Sequence, residues 1–301
     1  AGRGGEPEGV MNEHNETMMQ RQMDSFPVLP VTVAQILRVT GDPESSAADL
    51  MAAFLPDQSL CATVLKLANS ALFGRPRRVD SLQAAIMVLG FNRVQSIALV
   101  KAMLNTFSDL GSGSAPEVER FWEHAFLAAM AANHMARDLG LGLGASFMAG
   151  LLHDLGKLVL LQTFGDDYLA GRWLNRCTGE GDLAAERLAF GFDHATVGGR
   201  LLGQWQFPDT LVAAAAGHHL AEQVDADDLL VQVVQLADLM AHHCQDEICE
   251  PAVQHQDSPA EIPPRWRETG VPASDEQFSR WYGWLRCNRE RSGEVRHLLT
   301  V

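Results

Sequence analysis

Apolar residues recur at helical spacing along most of the chain. Over residues 31–39, Val33, Ile36 and Leu37 fall at i, i+3 and i+4, which predicts an amphipathic helix stopped by Asp42-Pro43. Ser46 followed by Asp49 predicts a capping box that opens a helix over 47–54. Leu60, Val64, Leu67, Ala68 and Ala71 line one face of a helix over 59–72, ended by Gly74 and Pro76. Ser81 opens another, with Leu82, Ala85, Ile86 and Leu89 on one side and Gly90 closing it; residues 92–107 make the next. The stretch DLGSGSAP at 109–116 reads as a break. Helical spacing resumes over 117–139, 145–164, 182–190, 194–205, 209–219 and 229–243. No alternating strand of useful length and no internal repeat is visible. The fold class expected is all-α, an N-terminal helical bundle packed on a second helical bundle.

The tail changes character. Residues 251–276 are rich in Pro, Gln, Asp and Glu, and then Phe278, Trp281, Tyr282, Trp284 and Leu285 form one last apolar patch. Aromatics at this density are expected to dock back on the body as a helix. The organisation expected is a leading segment over 1–25, a domain over 26–245 and a C-terminal extension over 246–301. The domain divides into 26–107 and 117–245.

Composition narrows the function. The 301 residues are 47% apolar, yet no run of about 18 apolar residues occurs, so no membrane span is expected. The first residues lack the apolar core of a secretory signal. The formal charge of −15, from 23 Lys+Arg against 38 Asp+Glu, argues against general binding to nucleic acid or anionic membrane. Arg75, Arg77 and Arg78 read as a solvated turn. Five cysteines, an odd number with no CxxC pair, argue against a disulfide framework or cysteine zinc site and point to a reducing cytoplasm.

Histidine carries the chemical signal. His124, His153-Asp154, His194, His218-His219 and Asp238 each lie in or at the edge of an expected helix, flanked by apolar residues that turn them inward. Imidazole and carboxylate together suit Fe, Mn, Zn or a similar divalent ion. An unpaired buried carboxylate at Asp154 would cost about 3–5 kcal/mol, which a metal or a histidine partner offsets. A lone histidine on an apolar face is ordinarily a core or surface residue, and His14, His134, His242, His243, His255 and His297 are read that way. Lys157, one turn after His153, either neutralises a phosphate oxygen or complements a helix dipole as a terminal lysine.

The order H…HD…D, with GLLHDLGKL as the central helix, resembles the HD superfamily of helical metal-dependent phosphohydrolases. The segments FPVLPVTVAQIL, DQSLCATVLKLANSALFG, SLQAAIMVLGFNRVQSIAL and GFDHATVGGRLLGQWQFPDTLVAAAAGHH resemble HDOD proteins in particular, over about residues 26–243. The resemblance implies a cytoplasmic output or partner module in bacterial signalling, often linked to cyclic dinucleotides. It also implies a metal site at His124, His153, Asp154 and Asp238, with His194, His218 and His219 holding a second ion that shares Asp154. One or two divalent transition ions are expected, iron first, with Mn or Zn as alternatives. The set is similar to that of HD-GYP phosphodiesterases. The GYP segment is absent, however, and Arg120 stands one turn before His124 where an acidic ligand would be. The competing expectation is a metal-dependent phosphohydrolase acting on a nucleotide or cyclic dinucleotide, with Asp154 and Lys157 at its catalytic centre. A signalling protein partner is expected in the first reading.

Overall fold

The computed structural model describes residues 17–21, 24, 31–42, 44–69, 79–107, 115–171, 180–219, 228–246 and 262–300. The FPVLP segment before residue 31, the arginines at 75, 77 and 78, and most of the break at 109–116 lie outside them. All regular structure among the described residues is helical.

A short helix, α1, covers residues 17–21. It is followed by α2 (Val31–Gly41), α3 (Ala47–Phe54), α4 (Gln58–Ala68), α5 (Leu82–Leu89) and α6 (Phe91–Thr106). The expected capping box opens α3: the Asp49 backbone N–H donates to Ser46 Oγ, and the Ser46 backbone N–H donates to the Asp49 carboxylate. Asn69 ends α4 earlier than the apolar face suggests. Its side chain donates to Leu65 O and Val79 O and accepts from Val79 N, tying the chain on either side of residues 70–78 together. Gly90 ends α5 at φ 81°, a left-handed conformation that a side chain would strain.

The second half contains α7 (Ala115–Leu139), α8 (Leu143–Leu152), α9 (Leu155–Phe164), α10 (Asp166–Ala170), α11 (Glu180–Phe190), α12 (His194–Gln204), α13 (Asp209–Gly217) and α14 (Leu229–Asp246). The expected single helix over 145–164 is therefore two helices, broken at His153-Asp154. The apolar pattern runs through the break because Leu151, Leu152, Leu155, Leu158 and Val159 are all buried on both sides of it. Residues Leu143–Phe164 are also the one stretch among the described residues long and apolar enough by themselves to cross a membrane, and 83% of the qualifying window is buried within the protein.

A single apolar cluster runs from Met19 through α2–α6 to α7, α8, α9, α12, α13 and the start of α14. A second lies between α7, α14, α15 (Pro264–Glu268) and α16 (Asp275–Thr300). The aromatic tail docks as expected. Phe278, Trp281, Tyr282 and Leu285 are buried, Trp284 stacks on His134 with ring centroids 4.0 Å apart, and Trp281 Nε1 donates to Asp138.

Candidate metal centre

Most of the candidate residues sit at helix ends, and that position explains their orientation. His153 caps the C-terminus of α8 and His218 that of α13. In each the ring Nδ1 lies 2.8 Å from the carbonyl three residues back, Gly150 O and Ala215 O respectively. A carbonyl only accepts, so Nδ1 carries the proton, one orphan carbonyl of the helix end is satisfied, and Nε2 faces inward. His194 opens α12 and is fixed differently. Its Nδ1 and its backbone N–H both donate to Glu186 Oε2, at 2.8 and 2.7 Å. Glu186 is fully buried on α11 and also accepts from the Tyr168 hydroxyl at 2.9 Å. This carboxylate–histidine contact fixes the tautomer and leaves Nε2 pointing into the centre.

Glycine brings these helix ends together. A Cβ on Gly156, in the first turn of α9, would overlap the His194 carbonyl and come within 2.7 Å of the Gly198 nitrogen. Only a bare backbone lets α9 and α12 approach this closely, and the approach sets Asp154 beside His194.

Two groups of four side chains result. His124, His153, Asp154 and Asp238 form one, and Asp154, His194, His218 and His219 the other. Within each group the ligand atoms all lie within 4.8 Å of one another, and every member is buried. Asp154 belongs to both. Its Oδ1 is 3.2 Å from His194 Nε2 and 3.3 Å from His218 Nε2, while Oδ2 is 3.5 Å from His153 Nε2 and 3.8 Å from His124 Nε2. All seven residues singled out in the sequence are thus brought together.

The contacts are close but poorly directed. Asp154 Oδ1, Asp238 Oδ1 and His218 Nε2 are buried and accept or donate no hydrogen bond. Such groups cost about 1–3 kcal/mol each when left unmatched. Lone pairs that converge without pointing at one another are the arrangement a cation satisfies. The donor set of imidazole and carboxylate suits a divalent metal ion.

Electrostatics agree. Burial favours the neutral acid at Asp154 and Asp238, but Lys157 and His153 outweigh it at the first and His242, His124 and His153 at the second. Both carboxyls are held well below the ordinary range. Burial, reinforced by His242, pushes His124 down to about 4, and burial with its histidine neighbours depresses His219 strongly. At His194 burial opposes protonation, yet Glu186 and Asp154 prevail and push the imidazole up to about 9.

Two residues depart from expectation. Lys157 does not complement a dipole at a helix C-terminus. It lies in the first turn of α9, where a cation opposes the dipole, and its fully buried ammonium donates to Asp154 Oδ2 at 2.7 Å. His242, read as an ordinary histidine, is buried against the centre, with Nε2 3.2 Å from Asp238 Oδ1. By contrast His134 stacks on Trp284 and His243 is exposed near Tyr282, as ordinary histidines do. His14 and His255 lie outside the described residues, as does the side chain of His297. Glu186 was not singled out because an acidic residue within ERLAF reads as a solvated helix position.

Such a helical scaffold with a shared carboxylate between two His/Asp groups defines an HD-type protein. The chain belongs to the HDOD domain family, whose family model matches residues 26–221. It is 24% identical over 208 residues to a protein of Treponema pallidum (strain Nichols), a match covering 66% of this chain and 38% of that one. The chain therefore spans well under half the length of that relative. Among solved structures it is similar to a Shewanella amazonensis SB2B protein proposed to be a phosphohydrolase, with TM-score 0.71, 20% identity, and coverage of 92% of this chain and 97% of that one. It is also similar to a Marinobacter aquaeolei VT8 protein proposed to act in signal transduction, with TM-score 0.70, 18% identity, and coverage of 98% and 69%. At these identities the likeness establishes the fold.

Proposed function

We propose that the chain is an HDOD-type signalling module that holds a divalent transition metal in a buried His/Asp centre and acts through a protein partner. The observation that carries this reading is the pair of buried donor groups joined at Asp154, with unmatched atoms facing one another. His124, His153, Asp154 and Asp238 would hold one ion, and His194, His218, His219 and Asp154 a second. Iron is the first candidate, with Mn and Zn as alternatives. Each of the seven donors is at most 9% exposed. Burial of this kind supports a closed structural or sensory ion over a catalytic one, which needs an open position. The test is elemental analysis of protein purified without chelator. One or two transition ions per chain are expected, and metal-free protein overturns the reading.

A specific observation favours a second reading, a metal-dependent phosphohydrolase acting on a nucleotide or cyclic dinucleotide. Asp154 offers one oxygen to each donor group, as a carboxylate does between the ions of two-metal hydrolases. Ions held there would supply Lewis-acid polarisation of a phosphoryl oxygen and a bound hydroxide. Among the chain's own groups, Lys157 Nζ is held beside Asp154 and presents a fixed positive charge there. Metal-dependent cleavage of a nitrophenyl phosphodiester, lost in Asp154→Ala, would favour this reading over the first.

A further inference from the structure

We infer that His242 is a further ligand of the centre built by His124, His153, Asp154 and Asp238. The inference rests on the metal reading above and extends it to a residue outside both groups of four. His242 lies on α14 one turn after Asp238, so both side chains leave the helix on one face. Its ring is 5% exposed and packs over that of His124, with centroids 4.0 Å apart and planes inclined by 32°.

The argument turns on Asp238 Oδ1. Three imidazole nitrogens crowd this one oxygen: His124 Nε2 at 3.0 Å, His242 Nε2 at 3.2 Å and His153 Nε2 at 3.4 Å. Yet Asp238 Oδ1 has no hydrogen-bond partner, and neither does His242 Nε2. If His242 served only to hold Asp238, its N–H would point at the oxygen. It lies within reach and does not. A buried Nε2 with no hydrogen-bond partner, 3.2 Å from an equally unmatched carboxylate oxygen, is a donor that a cation at Asp238 would satisfy. It stands on the Asp238 side of the centre. With it the chain offers three nitrogens and two carboxylates to that ion. A donor set this large suits an ion that takes five or six ligands, such as Fe or Mn, rather than a four-coordinate structural zinc. It also adds a donor on a side of the centre where Arg120, one turn before His124, offers none.

The experiment loads the stripped full-length chain with Co(II). Binding is measured by titration and the ligand field by visible absorption, in wild type, His242→Ala and His242→Gln. His243→Ala, one residue away but exposed, serves as control. The expected result is a loss of affinity of about tenfold or more in both His242 variants, a changed d–d spectrum, and recovery of the wild-type spectrum in His242→Ala on adding imidazole. The control should bind as wild type does. A His242→Ala protein with unchanged affinity and spectrum overturns the role of His242 and leaves the centre standing. Weakened affinity with an unchanged spectrum and no imidazole rescue also overturns it, because His242 then only positions Asp238. Wild-type protein that takes up no Co(II) overturns the centre itself and this inference with it. If His242→Ala melts below the assay temperature, His242→Gln, which keeps most of the volume, gives the same readings.

Discussion

The two halves of this chain have opposite kinds of interior. Among the described residues of α1–α6 the buried side chains are nearly all apolar, with Thr63 and Ser96 the polar exceptions. The interior of α7–α14 holds four histidines of the candidate centre below 5% exposure, together with Asp154, Asp238, Glu186 and a fully buried Lys157. The first interior rests on apolar burial, worth about 1.5–3 kcal/mol for each large side chain. The second carries charges whose desolvation must be matched partner by partner. The same helical architecture serves as a passive wall in one half and as a candidate ligand cage in the other. The difference lies in which helix ends converge.

The sharpest way to break this contrast is to damage each interior once. Asp154→Ala removes the one carboxylate shared by both donor groups and strands the Lys157 ammonium in the core. Metal content should fall to near zero, and the stripped protein should lose about 3–5 kcal/mol for the unpaired buried charge. Phe54→Ala, in the fully buried core of α3, should cost a similar 3–5 kcal/mol through its cavity. It should leave metal content unchanged. Metal analysis and denaturant unfolding of both variants check this. Stoichiometric metal held as tightly by Asp154→Ala as by wild type would rule out the shared ligand.

A smaller effect follows from removing the ion alone. Metal that binds only the folded chain, present at 100 times its Kd, is worth about 2.7 kcal/mol. For a protein of this size a chelator should therefore lower Tm by about 5 °C or more at pH 7.5. Acid should erase that gap. In the stripped protein burial holds His124 down to about 4, against an unfolded value near 6.5. Between those two values the unfolded chain binds a proton that the folded chain refuses, so stability falls as pH drops through that window. Ligation acts in the same direction, since a bound imidazole must be neutral. His194 runs the other way. Its folded value is pushed up to about 9, so its contribution in the stripped protein is full below about 6.5 and is lost as pH rises through about 9. Thermal melts with and without chelator at pH 7.5 and pH 5 test the balance. Equal melting temperatures at pH 7.5 would remove any stabilising role for metal.

Much of this was legible in the residues. Helical spacing located most helices, and the His-Asp and His-His pairs marked the centre because polar residues inside apolar runs stand out. Other features were not legible, for physical reasons. The break between α8 and α9 is invisible to periodicity, since residues 148–161 on both sides of it are all buried and show no polar face to lose. Of the two readings of Lys157, the lysine that complements a helix dipole fails because that break turns a helix middle into a helix start. His242 was hidden beside His243, and only the helix register separates the buried ring from the exposed one. Glu186 belongs to a helix whose other neighbours, Arg187 and Leu188, face solvent.

Glu186 also provides the finest test of how the cage is tuned. Its Oε2 accepts both N–H groups of His194, and its Oε1 accepts the Tyr168 hydroxyl. Glu186→Gln preserves shape and removes one charge. The new amide can turn its oxygen to His194 and its NH2 to Tyr168, whose hydroxyl rotates to accept. The hydrogen bonds then survive and only the electrostatics change. Burial by itself pushes His194 down, and the Glu186 carboxylate is the first of the groups that reverse this. Without that charge His194 should titrate well below 9 in the stripped protein, which histidine NMR can follow. A less basic imidazole is also a weaker ligand, and changes to a partner of this kind cost about 10–100-fold in metal affinity. The variant should therefore still bind metal, more weakly, with the His194 ring in place. If His194 continues to titrate near 9 and metal affinity is unchanged, Glu186 is a packing residue and the charge on His194 is set by Asp154 alone.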